Sequence, residues 1–178
     1  ASNLNFFTHS LRAVGSVQSC IEFGANIGMN LRALQLLRPG LDAYGVEINE
    51  AAAKRLGDII PPTNVFHESI LEFEPKHEMD LALIKGVLIH INPNMLGEVY
   101  EKLVASTKRY LLVAEYYNRS PVAIPYRGHD DRLFKRDFAG EILDQYSEMV
   151  LLDYGFAYHR DPSFPQDDIS WFLLEKTQ

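Results

Sequence analysis

The sequence has one cysteine, Cys20, in 178 residues, and this scarcity excludes a disulfide framework and a cysteine-based zinc site. Positive charge is also scarce: 17 lysines and arginines stand against 24 aspartates and glutamates, for a net charge of −7. This balance argues against nucleic acid as a partner, because a phosphate-binding surface needs a basic patch. No apolar stretch approaches the roughly 18 residues of a membrane-spanning helix, and no signal peptide is present, so we expect a cytoplasmic protein with no membrane partner.

Repeats and linkers are absent as well, and residues 1–178 are long enough for one domain with a full core. Apolar periodicity predicts helices over 4–14, 27–38, 50–60, 93–106 and 134–146. It predicts strands over 17–23, 41–48, 64–67, 79–85, 109–115, 149–159 and 170–176. This alternation indicates an α/β fold with a doubly wound, mostly parallel, seven-stranded Rossmann-like sheet. The last two strands have no helix between them, so we expect a C-terminal antiparallel pair.

The stretch from Cys20 to Gly28 reads as a strand, a glycine turn and the start of a helix. Gly24 lets the chain leave the strand and approach a ligand closely, and Gly28 lets the following helix pack near the strand. Glu47, nineteen positions after Gly28, ends the second predicted strand, where a carboxylate can accept hydrogen bonds from both ribose hydroxyls. The order of these features predicts a nucleotide-like ligand, and an ordinary glycine turn is the alternative interpretation.

The spacing of the glycines favours one kind of nucleotide. A dinucleotide fingerprint starting at Gly24 would need glycines where the chain has Asn26 and Met29. Glu22, two residues before Gly24, would repel a pyrophosphate bound at the helix N-terminus. It suits a cationic ligand, such as the amino group of S-adenosylmethionine (SAM).

Taken in order, these features resemble the class I SAM-dependent methyltransferases over essentially the whole chain. The residues that carry the resemblance are Glu22-x-Gly24-x-x-x-Gly28, Glu47, and Gly86-Val87-Leu88-Ile89-His90-Ile91 after the fourth predicted strand. The stretches 22–30 and 126–134 also resemble the pseudaminic acid biosynthesis-associated methylases. This second resemblance implies a small acidic or sugar-like acceptor, such as a nonulosonic acid intermediate. Chains of that kind carry a further N-terminal segment, so we expect one to be missing here.

The resemblance implies a SAM site built from the ends of the first four strands. Its expected members are Glu22, Gly24, Ala25, Asn26, Gly28, Glu47, Ile48, Ser69, Ile70, Lys85 and Gly86. Glu22 is expected to bind the SAM amino group, Glu47 the ribose diol and Ile48 the adenine face. Ser69 and the Ile70 N–H are expected near the adenine amino group, with Glu68 as the alternative.

Two side chains after the fourth predicted strand have more than one interpretation. Lys85 ends an otherwise apolar run, where lysine is unusual, and could neutralise the SAM carboxylate or a substrate acid. The alternative is a surface lysine whose stem alone is buried. His90 is a candidate general base near neutral pH, or a residue that only shapes the pocket.

Acceptor-binding residues are expected after the fifth predicted strand, because ligands of open α/β sheets bind outside the carboxyl ends of strands. The candidates there are Glu115 as a catalytic group and Tyr117 and Asn118 as substrate contacts, with one of Tyr116 and Tyr117 facing the pocket.

A second group of candidates lies in the loop 126–132, which concentrates charged and aromatic residues. Arg127 and Arg132 could clamp a carboxylate, and His129 is an alternative base. A solvated loop with internal salt bridges is the other interpretation. The connection 162–168 is expected to form the far wall of the pocket.

Methyl transfer from SAM is an in-line displacement with a neutral leaving group, so the protein mainly has to align the reactants. We therefore expect a SAM-dependent methyltransferase that acts on an oxygen or nitrogen of a small molecule, without a metal. A SAM-binding protein that does not catalyse is the alternative from another class, and an NAD-dependent dehydrogenase is the less favoured enzyme. The sequence leaves the oligomeric state open.

Overall fold

The structure, a computed structural model, describes residues 1–124 and 133–177. Within them the helices are α1 Ser2–Ser10, α2 Met29–Leu37, α3 Glu50–Leu56, α4 Leu96–Ala105 and α5 Phe138–Gln145. The strands are β1 Ser19–Phe23, β2 Asp42–Val46, β3 Val65–Phe66, β4 Met79–Lys85, β5 Thr107–Glu115, β6 Val122–Ala123, β7 Phe134–Lys135, β8 Met149–Ala157 and β9 Ile169–Lys176. Single 3₁₀ turns occupy Pro62–Asn64, Leu88–His90 and Pro93–Met95. In this part of the chain no helix has both the length and the hydropathy of a transmembrane segment.

One seven-stranded sheet runs through the molecule in the order β3-β2-β1-β4-β5-β9-β8. Strands β1 to β5 pair in parallel, whereas β9 pairs antiparallel with both β5 and β8. The closing strands are antiparallel because the connection between them contains no crossover helix. The predicted doubly wound, mostly parallel sheet with a C-terminal antiparallel pair is therefore confirmed.

Strand β4 lies at the centre of this sheet and is covered on both faces. Its residues from Leu81 to Ile84 are all apolar and at most 1% exposed. Leu81 and Leu83 pack in the core that includes residues of α1 and α2, while Ala82 and Ile84 pack in the core that includes residues of α4 and α5. This alternation follows from the two-residue period of a strand. It places the end of β4, Lys85, in the middle of the carboxyl edge of the sheet.

Some helices start later than the apolar periodicity predicts. Helix α2 begins at Met29 and not at residue 27, because Gly28 takes a left-handed φ of 82° as its N-cap. The helix predicted over 93–106 opens with the 3₁₀ turn Pro93–Met95, in which the Asn92 side chain accepts a hydrogen bond from the Asn94 N–H at 3.0 Å. Polar capping and left-handed turns are local features that the periodicity of apolar residues does not report.

The segment that follows β5 is more ordered than predicted. Strands β6 and β7 pair antiparallel as a separate two-stranded sheet, with Ala123 opposite Phe134. Phe134 therefore belongs to a strand, and α5 begins four residues later, after Asp137 accepts a hydrogen bond from the Gly140 N–H at 2.8 Å. A two-residue strand is too short to show a period, which is why the apolar pattern predicts neither strand and starts the helix too early, at Phe134.

The antiparallel pair β8–β9 depends on a close approach that we expect to tolerate no added side chain. A Cβ at Gly155 would overlap the indole of Trp171, which packs directly against the Gly155 backbone. Gly155→Ala should lower the free energy of unfolding by about 1–3 kcal/mol, because the indole would have to move. Gly97→Ala is the matched control, since a Cβ at Gly97 meets nothing within 4 Å. Urea unfolding measures both, and equal stability of the two variants would contradict this packing.

Candidate functional site

A cleft of about 820 Å³ opens where β1, β2 and β4 end. A cavity of this size is in the range of small-molecule and cofactor sites. Predicted cofactor residues in its lining are Gly24, Ala25, Asn26, Glu47, Ile48, Ser69, Ile70, Lys85 and Gly86. Glu22 and Gly28 are not in the lining; Glu22 lies behind it, bonded to Asn30, which lines the cleft. The folded chain thus brings the predicted cofactor residues together around one cavity.

The turn after β1 forms one wall of the cleft and is fixed by backbone hydrogen bonds. The N–H groups of Gly24 and Ala25 both donate to the Val46 carbonyl, at 2.8 and 3.0 Å. Gly24 has a φ of 73°, and a Cβ there would lie 2.5 Å from Val87 Cγ2. Glycine is required because the turn is left-handed and because the loop after β4 touches it. The bare backbone leaves room for a ligand to lie against the turn.

Glu47 is held rigidly at the next strand end. Its carboxylate accepts hydrogen bonds from the N–H groups of Asn26 and Asn49, both at 2.7 Å, and the residue is only 8% exposed. A carboxylate has about four acceptor positions, so further donors, such as a diol, can still bind. The same bond occupies the Asn26 N–H, which a pyrophosphate at this turn would need.

Glu22 is buried beneath the turn, with 1% of its surface exposed. Asn30 Nδ2 donates to Oε1 at 2.6 Å, and Oε2 has no hydrogen-bond partner among the described residues. Loss of hydration on burial raises the pKa of Glu22 to about 8, and the charge of Glu47 adds to this rise. The Asn30 hydrogen bond and the charge of Lys85 act in the opposite direction and lower the pKa. The carboxyl is therefore mostly protonated at neutral pH, and a cation beside it would favour the charged form.

Lys85 lies at the junction of these charges. Burial lowers the pKa of its ammonium, and attraction to Glu22, Asp167 and Glu115 opposes that effect. Its Nζ lies 5.3 Å from the ring centroid of Phe6 in α1, within the range of a cation–π contact. Lys85 lines the cleft and is mostly buried, unlike a lysine that extends its head into solvent.

Glu115 is turned toward the loop after β4. Its Oε1 accepts hydrogen bonds from the N–H groups of Val87 and Leu88, both at 2.9 Å, and the residue is 3% exposed. Burial raises the pKa of Glu115 to about 7, while the N–H groups of Val87, Leu88 and Ile89 and the charge of Lys85 oppose it. Glu115 was predicted as a catalytic group, and its contacts make it the residue that holds the loop carrying His90.

A second cavity of about 530 Å³ adjoins the first, and Lys85, Gly86 and His90 line both. The other described residues in its lining are Ile89, Tyr116, Ile124, Leu133, Lys135, Asp167 and Ile169. Asp167 comes from the connection that the sequence predicts as the far wall.

Of the two tyrosines after β5, Tyr116 lines this second cavity, whereas Tyr117 is 42% exposed and its ring centroid lies 5.7 Å from that of Phe172. Asn118 donates its side-chain amide to the Ser120 carbonyl at 2.5 Å and its N–H to the Arg136 carbonyl at 3.4 Å. The other predicted acceptor contacts, Arg127, His129 and Arg132, lie outside the described residues.

The sequence does not predict two residues of the site, Asn30 and Lys135. Asn30 is the second residue of α2, where the predicted helix pattern gives no reason to select a polar residue. Lys135 lies on the two-residue strand β7. Asn30 could have been predicted from Glu22, because a buried carboxylate needs a hydrogen-bond donor and Asn30 is a nearby side chain able to supply one.

No protein-family profile matches the sequence, and no curated protein sequence matches it significantly. Solved structures do share its fold. One of them is the 1,6-didemethyltoxoflavin-N1-methyltransferase of Burkholderia thailandensis, solved with 1,6-didemethyltoxoflavin and S-adenosylhomocysteine bound. It is 16% identical to this chain with a TM-score of 0.75, and the match covers 100% of this chain and 79% of that one. N-methyltransferase NodS of Bradyrhizobium japonicum WM9, in complex with S-adenosylhomocysteine, is 14% identical with a TM-score of 0.70, covering 99% and 86%.

The mitomycin 7-O-methyltransferase MmcR is 13% identical with a TM-score of 0.67. The match covers 94% of this chain and 52% of that one, so the chain spans about half the length of MmcR. These likenesses, at low identity, establish the fold: an α/β Rossmann-like methyltransferase fold.

The two buried carboxyls, Glu22 and Glu115, should make the stability of the protein depend on pH. Glu22 and Glu115 have folded-state pKa values of about 8 and about 7, above the ordinary value of 4.5, so the folded protein binds more protons than the unfolded chain. The stability contributed by these groups should therefore be fully present below about pH 4.5 and be lost as the pH rises to about 7 for Glu115 and about 8 for Glu22, by up to about 1.4 kcal/mol per pH unit for each group.

Glu22→Gln should flatten this decline, because glutamine keeps the acceptor for Asn30 and does not titrate. Urea unfolding from pH 5 to 8 measures the slope, with Glu101→Gln on the exposed face of α4 as the control. A slope in Glu22→Gln as steep as in the wild type would show that Glu22 is not the titrating group.

Proposed function

We propose that the protein is a SAM-dependent methyltransferase that acts on an oxygen or nitrogen of a small molecule. One arrangement carries the proposal: Gly24 and Glu47 line a cleft at the ends of β1 and β2, and Glu22 lies behind it, bonded to the lining residue Asn30. Lys85 and His90 also line a second cavity of acceptor size. Two neighbouring cavities suit a reaction in which one molecule passes a group to another.

The residues present fit SAM as the cofactor. Glu47 is fixed in place with acceptor positions left for a ribose diol. Glu22 offers a buried oxygen without a partner among the described residues, which suits the SAM ammonium, and the cradle at Gly24 leaves room for the methionine part. Ile48 is 69% exposed at the lip of the cleft, as expected for a side chain that packs on an adenine ring.

SAM, when bound, supplies an activated methyl group on a positively charged sulfur. The protein would mainly orient the two reactants, which is worth up to about 7–11 kcal/mol in well-aligned systems. His90 lines both cavities and is the residue we assign to accept a proton from the acceptor, a contribution of roughly 10²–10⁴-fold. Glu115 would act through the loop it holds, by fixing the position of His90.

For the acceptor we propose a small molecule of acidic or sugar-like character, such as a nonulosonic acid intermediate. Support for a small molecule comes from the solved structures, of which one is named for mitomycin and another holds 1,6-didemethyltoxoflavin. Arg127 and Arg132 remain candidates to bind an acid, with His129 as an alternative base.

Two other functions make different use of the same cleft. A dehydrogenase would bind a pyrophosphate at the turn after β1, where the Asn26 N–H is already bonded to Glu47. In a dehydrogenase, the second half of the dinucleotide-binding sheet also continues with parallel strands. Here the strand next to β5 is β9, and it pairs antiparallel. A SAM-binding protein without catalysis would share the first cavity, and only a turnover measurement distinguishes it.

Calorimetric titration with S-adenosylhomocysteine tests the proposal. The wild type should bind with micromolar affinity, and Glu47→Ala should bind at least about ten-fold more weakly, because a ribose diol would lose a charged acceptor. Glu50→Ala is the matched control, an exposed acid three residues along the chain outside the cleft lining, and should bind like the wild type.

NADH is titrated in parallel. Binding of NADH in place of S-adenosylhomocysteine would overturn the methyltransferase assignment. Binding of S-adenosylhomocysteine without methyl transfer to any of a panel of sugar acids and amino sugars would favour the non-catalytic alternative.

A further inference from the structure

The second cavity has a charge pattern that the sequence did not reveal. Among the described lining residues, its charged groups are two lysines, Lys85 and Lys135, and one carboxylate, Asp167. Lys85 lies close to Glu22, Asp167 and Glu115, which attract its charge. Lys135 lies near the carboxylate of Asp168, and its charge helps to lower the pKa of that carboxylate.

Lys135 lies on β7, which packs against the turn Leu88–His90, and it lines the cavity together with Lys85, Gly86 and His90. Its Nζ is 5.1 Å from the ring centroid of Tyr116, and it forms no salt bridge with the described residues. The nearby carboxylate of Asp168 already accepts hydrogen bonds from the His159 ring, at 2.8 and 2.9 Å, and from the His159 N–H at 3.0 Å. The ammonium of Lys135 thus has no carboxylate within salt-bridge distance among the described residues, although it lies in the field of Asp168.

Apart from Gly86 and His90, the other described lining residues are apolar or aromatic. Ile89, Ile124, Leu133 and Ile169 surround the cavity together with the Tyr116 ring. A volume of about 530 Å³ accommodates a ring-sized molecule, and such walls favour one with an apolar body or face. A lysine at one side of such a pocket selects for an oxyanion, because an ammonium binds carboxylate and phosphate groups as a point charge.

We infer that this cavity binds the acceptor through an anionic group, and that Lys135 is the residue that selects for it. The inference rests on the proposed function, since only then does a molecule in this cavity face the reactive end of the cofactor. In this arrangement the anionic group lies at Lys135, and the reacting atom of the acceptor lies at His90 and Gly86, which also line the first cavity. The pocket thus takes a compact ring-bearing acid, either a carboxylate or a phosphate ester.

The test uses three probes of one shape: benzoate, phenyl phosphate and the neutral benzamide. Binding to the full chain, saturated with S-adenosylhomocysteine, is followed by ligand-observed NMR titration. At least one anionic probe should bind about ten-fold more tightly than benzamide, the effect of one charge-assisted contact. The tighter of the two anions identifies carboxylate or phosphate as the preferred group.

Variants assign the selectivity to one side chain. Lys135→Gln should abolish the preference for the anion, and Lys135→Arg should retain it. Lys108→Gln is the matched control, because Lys108 is an exposed lysine near the start of β5, at the opposite edge of the sheet, and should change nothing. All three variants should bind S-adenosylhomocysteine like the wild type, which also shows that they fold.

The possible failures are distinguishable. If S-adenosylhomocysteine does not bind, the proposed function fails and this inference fails with it. If S-adenosylhomocysteine binds but the anions bind no better than benzamide, or do not bind at all, this inference alone is overturned. The same holds if Lys135→Gln keeps the full preference, since another residue would then select the acceptor.

Discussion

The buried carboxyl of Glu22 is the constraint on which the rest of the site depends. Removing a carboxyl from water is costly unless it is hydrogen-bonded, and among the described residues Glu22 has one donor, Asn30, from the first turn of α2. Lys85 lies close enough to attract the charged form, and it attracts Glu115 in the same way. Glu115 in turn holds the N–H groups of the loop that carries His90. One set of buried charges therefore connects the floor of the cofactor cleft with the wall of the second cavity.

Glu47 is a second buried carboxylate at the cleft, and its hydrogen bonding differs from that of Glu22. Both of its oxygens are bonded to backbone N–H groups, at 2.7 Å each, so that it is fixed in a defined position. Glu22 is buried with one oxygen unpartnered among the described residues, which leaves it responsive to a cation. Two acids in different surroundings thus suit different parts of one ligand, a neutral diol and an ammonium. A dinucleotide, which carries two phosphates, would fit this arrangement poorly.

The fold and the first cavity could be predicted because they depend on patterns that a sequence displays directly. The apolar run of β4 and the glycines of the first turn place the strand ends that form the cleft. The rest depends on three-dimensional geometry: whether Tyr116 or Tyr117 faces the cavity follows from the twist and end of β5, and Lys135 reaches the cavity only because β7 pairs with β6. Glu115 was placed correctly at a strand end, but the direction of its carboxylate is set by the N–H groups it meets after folding.

The most direct test of the central claim is a crystal structure of the protein with S-adenosylhomocysteine. The account predicts that the ribose hydroxyls bind Glu47, that the amino group lies within hydrogen-bond distance of Glu22 or of a water bound to it, and that the sulfur faces the junction at Lys85 and His90. A ligand bound elsewhere on the protein, or bound in the cleft with its amino group away from Glu22, would contradict the account.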